Sequence, residues 1–199
     1  MGLLKRSILL LFALALVTTA IGTSVLLKSD NDIDMGDPNL FSSLGNFLFN
    51  EGMTGHAVVA FEKSLELDDD NAVTLNNLGV SLLQTDKEKA MRHFKEALNI
   101  DPNYEMARKN LAVLQTQIGK YEEAINNFRT LVEEYPDNVQ YNYDLAVNLG
   151  NKFYHNSRDE NDLEEALKIY YKVKEVSPKY EHLEENIKVL EEVKQILES

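Results

Sequence analysis

The stretch that decides the fold reads TLNNLGVSLLQTDKEKAMRHFKEALNIDPN, residues 74–103. It divides into two amphipathic segments around the polar Gln84-Thr85-Asp86, and it closes on Asp101-Pro102-Asn103. Proline cannot continue a helix, so the closing triplet fixes an end. Within the stretch, leucine is followed by a small residue at Leu78-Gly79, and alanine precedes an aromatic by four at Ala90 and Phe94. Both features recur outward along the chain. Alanine–aromatic pairs stand at Ala57/Phe61, Ala90/Phe94, Ala124/Phe128 and Ala166/Tyr170, with spacings of 33, 34 and 42. Leu-small pairs at Leu44-Gly45, Leu78-Gly79, Leu111-Ala112 and Leu145-Ala146 recur at 34, 33 and 34. Two antiparallel helices with tight turns consume roughly 34 residues, which is the period found. Close crossing of such a pair admits only Gly or Ala. The aromatics Phe61, Phe94, Phe128 and Tyr170 are then expected to fill the space between successive hairpins.

These residues resemble the tetratricopeptide repeat (TPR) family, with units at 38–71, 72–104, 105–138 and 139–180. The resemblance implies an all-α fold, a right-handed α-solenoid of four helix hairpins. Departures are local. The first unit has Ser64 where the others carry Ala97, Leu131 or Val173, and it lacks a proline. The second is one residue short in its turn. The fourth gains about eight residues, NKFYHNSRDEND at 151–162, where Phe153 and Tyr154 are expected to extend a helix past the solenoid's edge. Residues 181–199 read as a capping helix, because Leu183, Ile187, Leu190, Val193 and Leu197 recur at helical spacing.

The chain opens differently. An uncharged run, ILLLFALALVTTAIGTSVLL, begins at Ile8 and ends at Leu27. As a helix it would span about 30 Å, the thickness of a bilayer's hydrocarbon core. Lys5 and Arg6 precede it, so residues 1–27 read as a membrane anchor with a cytoplasmic N-terminus and the repeats on the non-cytoplasmic side. The competing reading is a signal peptide cleaved near Ala20, which would release a secreted or periplasmic binding module. Residues 28–37 (KSDNDIDMGD) form a short acidic linker.

Of the 199 residues, 33 are acidic and 20 basic, a net charge of −13. Such a chain repels phosphate backbones, which argues against nucleic-acid binding. No cysteine is present, so disulfides, thiolate metal sites and cysteine nucleophiles are excluded. His56, His93, His155 and His182 fall in separate units without metal-ligand spacing. No glycine-rich phosphate loop occurs. Carboxylate pairs such as Glu122–Glu123 and Glu164–Glu165 read as solvated or as partners of a helix N-terminus. A non-enzyme without cofactor or metal is the expectation.

In the resemblance, partners are held on a concave face lined by the first helix of each unit. The residue before each Leu-small pair is Ser43, Asn77, Asn110 or Asp144, and the cap adds Asn186 in the same phase. An amide offers donor and acceptor together, which suits the backbone of an extended peptide. Asn76, Val80, Met106, Lys109 and Tyr143 flank this line and complete the expected binding site for a protein or peptide. Lys109 stands alone as a basic residue there, so the multi-lysine clamp of chaperone-binding TPR domains is missing. Self-association through the groove or the ends is a further reading.

Overall fold

The computed structural model describes residues 34–199. The expected anchor at 1–27, its signal-peptide alternative and most of the linker lie outside the described residues. Among those described, no helix is long and apolar enough to cross a membrane.

Nine α-helices and no strand occupy the described chain: α1 (Pro38–Asn50), α2 (Thr54–Leu67), α3 (Ala72–Leu82), α4 (Lys87–Ile100), α5 (Glu105–Gln117), α6 (Tyr121–Glu134), α7 (Val139–Lys152), α8 (Glu160–Val176) and α9 (Leu183–Leu197). They pair as four hairpins with α9 laid on the last. Several helices begin where a side chain satisfies a free backbone N–H. Asp37, Asn71, Asp86, Asn138 and Asp159 all cap in this way, and Pro38 follows Asp37 at the first helical position. Each such cap contributes about 1 kcal/mol. Gly52 and Gly119 carry the positive φ that ends α1 and α5, a conformation open to residues without a Cβ.

Each helix packs on the next, and α3 also touches α1 and α5, which sets the first helices of the first three hairpins side by side. The aromatics depart from expectation. Phe61 and Phe94 press on Gly45 and Gly79 within their own hairpins; a Cβ on either glycine would come within 2.5 and 2.6 Å of the ring. The glycines therefore exist to admit the ring, and the aromatic closes a hairpin rather than only joining two. Ser64, the outlier of the first unit, is fully buried because its Oγ donates to the Pro38 carbonyl at 2.8 Å, tying the end of α2 to the start of α1.

The insertion also differs from expectation. Phe153 and Tyr154 do not project past the edge: α7 runs into a π-helical turn (Phe153–Ser157) that sinks Phe153 to 1% exposure in the core of the last two hairpins. Arg158 then turns the chain in the left-handed region, its guanidinium 5.8 Å from the Phe153 ring. Asp162, almost buried, accepts from Lys152 Nζ at 3.1 Å and Ser157 Oγ at 2.8 Å, which closes the loop. In the cap, Leu183, Ile187 and Leu190 are buried and Val193 is partly so, but Leu197 is 48% exposed. The final turn of α9 has outrun the hairpin it covers.

Candidate functional site

Helices α1, α3, α5 and α7 turn equivalent residues toward one another because the repeat returns each register after about 34 residues. The polar residues on these faces are joined from helix to helix. Thr74 donates to Ser42 at 3.1 Å, and Thr116 to Asn148 at 2.8 Å. Between them runs a directional amide row: Asn110 Nδ2 donates to Asn76 Oδ1 (2.8 Å), Asn76 Nδ2 to Asn77 Oδ1 (3.2 Å), and Asn77 Nδ2 to Asn46 Oδ1 (2.9 Å). Asn77 and Asn110, expected as direct neighbours on one line, are thus bridged by the buried Asn76. Amides in such a chain polarise one another, and each bond makes the next donor stronger. Asn46 Nδ2 and Asn110 Oδ1 are left at its two ends.

Asp144 and Asn186 lie further along. Asp144 is half-buried and accepts from Gln140 Nε2 at 2.9 Å. Burial pushes its carboxyl above the usual range, against weaker downward pulls from the Gln140 hydrogen bond and the charge of Lys109. Asn186 does not meet Asp144; its Nδ2 donates to the hydroxyls of Tyr143 (2.9 Å) and Tyr170 (3.3 Å). Lys109 and Val80 are half-buried, the latter packed against the core of the first hairpins, while Met106 is 47% exposed. Ser43 is exposed and joins no bond of the row.

The sequence reading gave no site role to three residues that complete this region: Tyr170, Tyr180 and Gln140. Tyr180 donates to Gln140 Oε1, and its ring lies 4.6 Å from that of Tyr143. One signal was available. Tyr170 takes the place that Phe61, Phe94 and Phe128 hold in the other units, and a hydroxyl at a core position needs a partner.

His93 meets Glu96, His155 stacks on Tyr121 with ring centres 5.6 Å apart, and no two histidines come together. Among the described residues no three His, Cys, Asp or Glu side chains are placed to hold a metal. The carboxylate pairs are largely exposed, as expected, and three of these acids also meet cations. Glu122 reaches Lys152 (3.0 Å), Glu164 reaches Lys194 (3.1 Å) and Glu165 reaches Arg129 (2.7 Å), so these acids link successive hairpins and the cap. Exposed pairs of this kind contribute at most about 1 kcal/mol each.

Two tetratricopeptide repeat family models match the chain, over residues 39–71 and 82–146. The peroxisomal targeting signal receptor of Kluyveromyces lactis is 30% identical over 99 residues, 49% of this chain and 18% of that protein. The TPR repeat-containing thioredoxin TTL4 of Arabidopsis thaliana is 31% identical over 92 residues, 46% of this chain and 14% of that one. The chain thus spans less than a fifth of the length of these curated relatives. YrrB, solved as a TPR protein with an unusual peptide-binding site, superposes with a TM-score of 0.72 at 20% identity, covering 81% of this chain and 80% of its own. A MamA structure from Desulfovibrio magneticus RS-1 gives 0.66 at 18% identity, covering 83% and 94%. The chain carries tetratricopeptide repeats, a helix-hairpin module of protein–protein interaction, and the fold is the α-solenoid of such arrays.

Proposed function

We propose that this protein is a non-catalytic scaffold that holds an extended segment of a partner along the face of its first helices. The observation that carries the reading is the amide row from Asn110 to Asn46, which leaves a free acceptor at one end and a free donor at the other on a half-exposed face. A peptide backbone offers the complementary groups at every residue, whatever its side chains. Exposed Met106 and Val113 beside the row supply apolar area for the partner's side chains. The relatives accord with this: receptors for peroxisomal targeting signals, and a TPR protein with a peptide-binding site.

The uncharged run from Ile8 to Leu27 supports attachment to a membrane, with the repeats on the non-cytoplasmic side, where the scaffold would help assemble or organise a membrane or envelope complex. Release as a secreted or periplasmic module is the alternative, and the mass of the mature protein in the membrane fraction separates the two. The groove is tested by crosslinking from positions 77 and 110 in native membranes. Captured partners should be lost in the Asn77→Ala, Asn110→Ala double variant while its helical content is retained. Undiminished capture by that variant overturns the amide row as the holding element.

A second reading has its own observation. Ile196 is 72% exposed, with Val189 and Leu197 also open on α9, so the end of the array offers apolar surface to another copy. Light scattering across concentrations decides it; a persistent monomer sinks it.

A further inference from the structure

At the fourth hairpin three tyrosines from three elements cluster near one carboxylate, Tyr143 and Tyr180 partly exposed and Tyr170 buried in the core. Tyr143 on α7 lies 5.6 Å from Tyr170 on α8 and 4.6 Å from Tyr180 in the turn before α9. The rings are held, not loose. Asn186 donates to the hydroxyls of Tyr143 and Tyr170, Tyr180 donates to Gln140 Oε1, and Gln140 Nε2 donates to Asp144 Oδ2. Four hydrogen bonds among side chains of α7, α8, the turn and α9 thus fix the orientation of the rings and of one acid.

Asp144 makes no ion pair among the described residues, although it is half-buried. The nearest cationic influence is Lys109, one hairpin away, and it acts on Asp144 only as the weakest of three contributions. The charge of Asp144 also bears on Tyr143, Tyr170 and Tyr180 and helps hold their hydroxyls protonated. Neutral tyrosine rings present negative faces. The sign of the ligand follows. An anion would meet the uncompensated carboxylate, and an apolar group would dehydrate it further without a partner. A cation gains from both the acid and the ring faces, and with the rings already fixed it has no ordering to impose on them. Residues 38–199, which carry 29 acidic and 17 basic side chains, add a field of the same sign.

We propose that the partly exposed Tyr143 and Tyr180, backed by the buried Tyr170 and with Asp144 at their edge, form a subsite for one cationic side chain, lysine or arginine, of the partner segment. This rests on the groove reading above and sharpens it. The amide row takes the backbone at the first three hairpins, and the tyrosine subsite reads one residue at the fourth. Because the subsite stands at one end of the row, it also sets the register and direction of the bound segment.

The test titrates three capped tripeptides, Gly-Lys-Gly, Gly-Arg-Gly and Gly-Gln-Gly, into the full chain in detergent micelles. Two signals report: the Asn186 side-chain amide in NMR, and tyrosine fluorescence, which no tryptophan obscures. The lysine and arginine peptides should saturate, with the glutamine peptide weaker by about tenfold. Asp144→Asn should erase that preference while its melting temperature does not fall, since asparagine keeps the bond from Gln140 and removes a buried charge. Tyr180→Ala should weaken both cationic peptides severalfold without changing the glutamine peptide. Equal binding of lysine and glutamine peptides overturns the proposal, as does undiminished lysine binding in a stable Asp144→Asn protein. A neutral Gly-Gln octapeptide separates the two layers of the argument. Shifts at the Asn77 and Asn110 amides without any lysine preference overturn the cation subsite and leave the groove. A lysine preference without those shifts overturns the groove and keeps the subsite.

Discussion

The first two hairpins and the last two solve the same packing problem differently. In the front pair the small residue of the repeat is glycine, and an aromatic ring lies directly on its backbone, Phe61 on Gly45 and Phe94 on Gly79. In the back pair the same register holds Ala112 and Ala146, fully buried with Phe128 and Tyr170. There the core gains breadth from Tyr141, Phe153 and the cap residues Leu183, Ile187 and Leu190. The front depends on one close approach per hairpin, and the back on many interlocking side chains. Interiors at crystal-like density tolerate a methyl only where room for it already exists. A single repeat pattern therefore hides two different sensitivities to mutation.

Substitutions can break this contrast or sharpen it. Phe94→Ala should have the largest effect, a loss of about 3–5 kcal/mol in urea unfolding, since the ring is wholly buried. Gly79→Ala alone should cost about 1–3 kcal/mol from overpacking, yet almost nothing when added to Phe94→Ala. If the two costs simply add, the ring is not what the glycine accommodates. Ser64→Ala should lose about 1 kcal/mol, because the Pro38 carbonyl would lose its donor. In the back pair the sign reverses: a Cβ on Gly150 would sit 3.7 Å from Leu190, an ordinary contact. Gly150→Ala should therefore stabilise by about 0.5–1 kcal/mol, chiefly by restricting the unfolded chain. The smallest effect concerns pH. Burial raises the Asp144 carboxyl in the folded chain, so its ionisation opposes folding. That cost is absent below the unfolded carboxyl range, near about pH 4, and is complete once pH passes the raised folded value. Melting curves of the wild type and Asp144→Asn should thus converge in acid and separate toward neutrality, with the variant higher; the opposite trend would show the acid to be paired.

Repeat spacing made the hairpins legible before any coordinate, because Leu-small and Ala-aromatic pairs mark crossings that a backbone cannot make otherwise. The same spacing brought out Asn77, Asn110, Asp144 and Asn186 as one phase. It could not show what those amides touch. Their partners come from the preceding unit, 31, 34 and 43 residues distant for Asn77, Asn110 and Asn186, and depend on side-chain reach rather than on period. The misread insertion has a similar cause. Phe153 follows Leu145 and Leu149 at intervals of eight and four, which places it on their buried face. The extra length suggested a helix running past the solenoid's edge, whereas the chain resolves it as a π-turn and keeps the aromatic inside. Ser64 looked like a flaw in the first unit until the carbonyl it meets was known.

Beyond its own two helices each hairpin packs on the hairpins beside it, and among the described residues no substantial packing joins one end of the array to the other. Small rotations at successive junctions therefore accumulate, while each one disturbs only a local set of contacts. An array so connected is expected to act as a shallow spring, meeting a guest of the wrong length by slight flexing shared along the coil rather than by rupture at one point. On the proposed reading, with the tyrosine subsite at one end and the amide row toward the other, such a spring would hold partners of unequal span through the same two points.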